Sequence, residues 1–154
     1  MKNILLLLMI LLSACITSRK PQMTEGSHLQ LESCRWNCVE LYGKAVVTAG
    51  GVKPPYLYFS KGENVVQGNG GCNAMTGKYA AHDDLLTLHS IAHTERACLD
   101  NAINEQESFF FKVLEETERY NIHHKNLVGA KKEMLELYKD KTLIATFEAD
   151  SLTE

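Results

Sequence analysis

The chain has 154 residues, a formal net charge of −3, 45% hydrophobic residues and 23% charged ones, the balance of one ordinary soluble domain. Its cations are dispersed: the densest spot, Lys125 with Lys131 and Lys132, reads as a solvated turn. Nucleic acid is therefore excluded as a partner, because it rewards clustered Lys and Arg.

The first element is Met1-Lys2-Asn3 followed by an unbroken apolar run, Ile4 to Leu12. That run falls far short of the ~20 residues needed to span a bilayer, so it reads as a signal-peptide core. It ends at Leu12-Ser13-Ala14-Cys15, which resembles a bacterial lipobox. The resemblance implies a signal peptide over residues 1–14 and a mature chain that starts at a lipidated Cys15. Each buried acyl CH₂ contributes about 0.8 kcal/mol, and two or more chains hold a protein firmly on a membrane. Ile16, rather than an aspartate, follows the cysteine. The expected location is the cell envelope, lipid-anchored at the outer membrane and facing the periplasm.

Residues 15–30 are polar, with Pro21 and Gly26, and read as a flexible tether. The folded domain is expected over 31–149, with a short tail at 150–154. Strand patterns dominate its first half: Arg35 to Leu41, Ala45 to Thr48, Tyr56 to Phe59 and Asn64 to Gln67. Gly68-Asn69-Gly70-Gly71-Cys72-Asn73 is too glycine-rich for regular structure and reads as a loop. Lys78 to His82 and Leu85 to Ser90 flank a hairpin tip at Asp83-Asp84. One helix follows, with Asn104 as its expected cap, Glu107 three residues on as in a capping box, and an end near Arg119. Phe110, Val113 and Leu114 fall at helical spacing. Tyr120 to His124, Glu133 to Tyr138 and Thr142 to Glu148 read as closing strands, although 131–139 is also helix-prone. The order predicts an α+β domain: a small curved antiparallel β-sheet or open β-barrel with one packed α-helix.

Several segments together resemble the META-domain family, the HslJ-like lipoproteins. Trp36 with Val39-Glu40-Leu41 and Gly43 resembles the family's opening motif. Gly68, Gly71, Cys72, Asn73, Gly77 and Tyr79 match G-x-x-G-C-N-x-x-x-G-x-Y. Ile91, Thr94, Ala97 and Cys98 match I-x-x-T-x-M-A-C, except that Arg96 replaces the methionine. Glu107, Phe110 and Leu114 match E-x-x-(F/Y)-x-x-x-L. The resemblance implies structural roles for Trp36, Gly71, Cys72, Asn73, Thr94 and Cys98. It also implies links to envelope stress and antibiotic tolerance, with no enzymatic activity.

After Cys15 come Cys34, Cys38, Cys72 and Cys98, and in an oxidising compartment an even count invites disulfides. Cys72 and Cys98 lie in two signature segments and are the main candidate pair. A bridge there closes a loop of about 27 residues and stabilises by about 3–4 kcal/mol in the chain-entropy model. Cys34 and Cys38 are a weak candidate pair. On one extended strand their Cα atoms stand about 13 Å apart, from ~3.3 Å per residue, whereas a disulfide needs less than about 7 Å. They pair only if the chain turns near Arg35; free thiols and other pairings stay open.

No metal site is expected, because C-x₃-C with scattered histidines is not a known ligand spacing. No nucleophile-elbow, zinc-protease or P-loop pattern is present, so no catalytic residue and no cofactor are expected. Asp83-Asp84 reads as a hairpin tip and Glu115 to Glu118 as a solvated helix face. Of Phe109, Phe110 and Phe111, two are expected in the core. The function expected is that of a non-enzymatic, monomeric envelope lipoprotein in stress tolerance or outer-membrane maintenance. It would be membrane-bound through Cys15 and act on an unknown envelope protein. The alternatives are a module for lipids or hydrophobic small molecules, and a docking lipoprotein for an outer-membrane assembly.

Overall fold

The computed structural model describes residues 31–48, 53–127 and 130–150. The expected signal peptide, Cys15 and the tether lie outside these residues, as do positions 151–154. Nine strands and one helix are described: β1 (Arg35–Leu41), β2 (Lys44–Ala45), β3 (Tyr56–Ser60), β4 (Val65–Asn69), β5 (Ala74–His82), β6 (Leu85–His93), α1 (Asn101–Glu116), β7 (Arg119–Leu127), β8 (Ala130–Lys139) and β9 (Thr142–Ala149). Among the described residues no helix is long and apolar enough to cross a membrane.

The strands form one curved antiparallel sheet in the order β2-β1-β3-β4-β5-β6-β7-β8-β9. It bends into a ring because β1 also pairs with β9, from Trp36 opposite Ala149 to Leu41 opposite Ala145. The seam lies between β6 and β7, which share only the Leu85–Arg119 register pair. Two flanking backbone bonds reinforce it, Leu86 N to Glu118 O at 3.0 Å and Tyr120 N to Asp84 O at 2.8 Å. The chain leaves the sheet at this seam to make α1. The helix touches β1, β6 and β8, which are not neighbours in the ring, so it lies across the ring interior.

Alternation along the strands fills that interior. Trp36, Leu57, Phe59, Val66, Leu86, Leu135, Leu137 and Phe147 are fully buried, and Phe110, Val113 and Leu114 meet them from the helix. A bulge between Cys38 and Glu40 shifts the phase of β1, so Leu41 also turns inward. The Trp36 indole donates to Leu31 O at 2.8 Å, which ties Leu31 to β1. Tight turns sit where short loops need a left-handed backbone: Tyr42-Gly43 has φ of 47° and 77°, and Asp83 has φ of 54°.

Four expectations need correction. β5 begins at Ala74 and β4 runs to Asn69, so the glycine-rich loop shrinks to residues 70–73. The helix is capped by Asp100, whose carboxylate accepts Ala102 N at 2.8 Å, and not by Asn104. It ends at Glu116, where Thr117 hydrogen-bonds back to Val113 O. The closing strand expected at Glu133 to Tyr138 is present as β8, where pairing on both sides and the inward Leu135 and Leu137 outweigh helix propensity.

The fourth concerns Cys34 and Cys38, which are not a disulfide pair but two free buried thiols. Arg35 already starts β1, so the turn that pairing required is absent. Both cysteines lie on the core side with Trp36, and burial raises the pKa of each thiol. They act as small apolar groups.

Phe110 packs edge-on to Phe147, with ring centroids 6.4 Å apart, and joins the helix to the sheet. Phe110→Ala is expected to lower the unfolding free energy by about 3–5 kcal/mol in urea titration, the cost of an emptied aromatic core position.

Candidate functional site

The polar residues singled out by sequence converge where the 70–73 loop meets α1 and the segment joining β6 to α1. Glu107 projects from the second turn of the helix and is only 6% exposed. Its Oε1 accepts the backbone N–H of Cys72 at 3.0 Å and of Asn73 at 2.6 Å. Its Oε2 accepts Asn73 Nδ2 at 2.6 Å. Asn73, itself 5% exposed, uses the other end of its amide on the opposite segment. There Oδ1 accepts Thr94 Oγ1 at 2.8 Å and Arg96 N at 2.7 Å, while Nδ2 also donates to Arg96 O at 3.1 Å. A carboxylate and an amide thus tie three segments together, with Glu107 Oε1, Asn73 Oδ1 and Asn73 Nδ2 each serving two partners.

The glycines make room for this. A Cβ on Gly70 would stand 2.8 Å from Glu107 Cγ and 3.2 Å from Phe111 Cζ, so only glycine lets the loop approach the helix. Gly71 adopts φ of 125°, a left-handed conformation that side chains disfavour. Cys72 and Cys98 form a disulfide across the same junction, with Cα atoms 6.1 Å apart. Asn104 holds its far side by accepting Cys98 N at 3.3 Å and donating to Cys98 O at 3.0 Å.

This is the spatial form of the G-x-x-G-C-N, T-x-x-A-C and E-x-x-F motifs, and residues 29–150 match the META domain family model. The chain belongs to the META-domain family. Two solved structures share the fold. One, an NMR structure of a protein from Burkholderia xenovorans, is 22% identical with a TM-score of 0.59, covering 79% of this chain and 85% of that one. Another NMR structure is 22% identical with a TM-score of 0.57, covering 81% of this chain and 96% of that one. No curated protein gives a significant match.

In this META domain the motif residues brace the fold. The departure at Arg96 is explained by the same geometry: the junction uses Arg96's backbone N–H and carbonyl, so the side chain is free to vary. Glu107 has a larger role than the capping box expected of it. The available signal was its place on the helix stripe that continues through Phe110 and Leu114, an acid where an apolar residue would ordinarily stand. Only one of the three phenylalanines, Phe110, enters the core fully. Phe111 stacks on His93 with ring centroids 4.3 Å apart, and Phe109 meets Tyr42 edge-on at 5.9 Å.

Among the described residues the histidines do not gather. His89 contacts Ser90, while His123 and His124 face Glu136 and Glu133 on β8. Asp84 at the hairpin tip bonds Arg119 across the seam, which lowers its carboxyl pKa. A separate cleft of about 170 Å³ opens between α1 and the chain after β1. It is lined by Leu41, Ala45, Val46, Val47 and Phe109, with Lys44 and Glu105 at the rim. Gln106 closes its floor, accepting Val47 N at 2.6 Å and donating to Val47 O at 3.2 Å. Sequence reasoning missed this clamp, which links residues 59 apart.

Glu107→Gln replaces one acceptor oxygen by a donor facing other donors. It is expected to cost at least about 1–3 kcal/mol in thermal or urea unfolding. Arg96→Met is expected to stay within about 0.5 kcal/mol of wild type in the same assay.

Proposed function

We propose that this protein is a non-enzymatic envelope lipoprotein whose META domain is a braced, membrane-tethered binding or scaffold module in outer-membrane maintenance or stress tolerance. The observation that carries the reading is the use of Asn73, Thr94 and Glu107. These are the polar members of the family motifs, and all of them are spent on internal hydrogen bonds. General acid–base or nucleophilic chemistry needs a group aimed at a substrate; these are aimed at one another and at the protein's own backbone. The Leu12-Ser13-Ala14-Cys15 motif supports the tether.

The cleft beside α1 favours a second reading, a module for hydrophobic small molecules. Its size limits the cargo. Drug-sized ligands occupy roughly 300–1,000 Å³, whereas an apolar cavity of about 150 Å³ takes one benzene. A cleft of about 170 Å³ suits one ring or short alkyl group and cannot enclose a whole lipid.

The test is the mass of the protein extracted from its own membrane without reductant. The expected denatured mass starts at an acylated Cys15, and Cys15→Ala moves the protein to the soluble fraction. A native mass free of cargo supports the scaffold reading; a small co-purifying apolar molecule moves the cleft to the front. An unacylated soluble wild-type product overturns the tether.

A further inference from the structure

Cys72, Cys98 and Glu107 bring two sulfurs and a carboxylate oxygen within 4.8 Å of one another. While the sulfurs are bonded to each other they are poor ligands. We propose that reduction of the Cys72–Cys98 disulfide converts this junction into a binding site for one divalent cation of borderline softness, with two thiolates and the Glu107 carboxylate as ligands.

Three observations carry this. The first is that the junction is held without the disulfide. Glu107 fixes the backbone of Cys72, Asn104 fixes both backbone groups of Cys98, and Asn73 ties its own segment to Arg96. The two thiols therefore stay neighbours once the S–S bond is gone. On a tetrahedral ion such as Zn²⁺, with Zn–S near 2.3 Å, two sulfurs stand about 3.8 Å apart. The donor atoms already lie within that order of distance.

The second observation concerns Glu107. A carboxylate offers about four lone-pair sites. Cys72 N, Asn73 N and Asn73 Nδ2 fill three, which leaves one on Oε2. The group is buried, and among the described residues no cation pairs with it. A metal ion would supply the missing positive charge, and the three N–H bonds would orient the ligand as outer-shell bonds do in metal sites. The third is access: Cys72 and Cys98 are half-exposed, so a reductant and then a hydrated ion can reach them. Three protein ligands and one water complete a tetrahedral zinc sphere.

The chemistry balances with a dithiol as reductant. One of its thiolates attacks a protein sulfur and releases the other as a thiolate; its second thiol then displaces the mixed disulfide. Two electrons pass to Cys72 and Cys98, the reductant becomes a cyclic disulfide, and its two protons end on the two cysteines. Binding of the ion releases those two protons to solvent.

The experiment uses the full-length chain in detergent, oxidised or reduced by a phosphine that does not itself bind zinc. Zinc is titrated with native mass detection, and cobalt(II) serves as the spectroscopic probe. The expected result is one zinc per reduced chain and none per oxidised chain, with a thiolate-to-cobalt charge-transfer band. Binding should persist in a Cys34→Ala, Cys38→Ala chain and be lost in Cys72→Ser. Glu107→Gln should weaken it by at least about tenfold, the loss that even an outer-shell partner of a metal site produces. Circular dichroism without metal checks that each variant folds, and Cys98→Ser replaces Cys72→Ser if that chain does not. A reduced wild-type chain that takes up no stoichiometric zinc overturns the proposal. So does equal binding by the oxidised chain, or a cobalt spectrum without thiolate bands.

Discussion

The buried carboxylate of Glu107 is the constraint on which the rest of this domain depends. A helix that lies across a ring of strands can slide or tilt, because apolar contacts are not directional. Hydrogen bonds to a carboxylate are directional and strong, and removing either side leaves buried groups without partners. By accepting two consecutive backbone N–H groups of the 70–73 loop, Glu107 sets both the position and the rotation of α1 against β5. Asn73 passes that constraint on to Thr94 and Arg96, and so to the end of β6. The glycines, the disulfide and the Asn104 bonds follow from the need to bring loop, helix and strand end to one point.

The ring itself is less uniform. Its shortest pairing is between β6 and β7, where the helix departs and one register pair joins the strands. A closed barrel would hide every edge; here the interior is sealed by the helix and by large side chains such as Trp36, Phe59 and Phe147. The junction at Glu107 thus stands close to the weakest seam of the sheet, and the Arg119–Asp84 pair supports the seam's other end.

Much of this was legible in the sequence. Alternation and turn residues marked nearly all the strands, and the α+β architecture followed from their order. The motif residues identified the Cys72–Cys98 bridge and a structural role for Asn73. What escaped was long-range. Asp100 and Asn104 are both good capping residues, and only the path from Cys98 decides that Asp100 caps while Asn104 turns back to the cysteine. Glu107 looked like half of a capping box because local spacing cannot reveal a loop more than thirty residues upstream. The Gln106–Val47 clamp has no sequence signature, since any exposed amide could have made it. Cys34 and Cys38 were the reverse case: strand geometry alone argued against pairing, and their burial agrees.

The polar motif residues Asn73, Thr94 and Glu107 thus hold loop, helix and strand end together through their hydrogen bonds. If Glu107 fixes the helix against the sheet, its junction is as stable as the core. Native-state hydrogen exchange at the Cys72 and Asn73 amides tests it most directly, because local opening and global unfolding are separable there. Both amides are expected to exchange only at the free energy of global unfolding, like those of β5. Exchange at the rate of a solvated surface loop would contradict it.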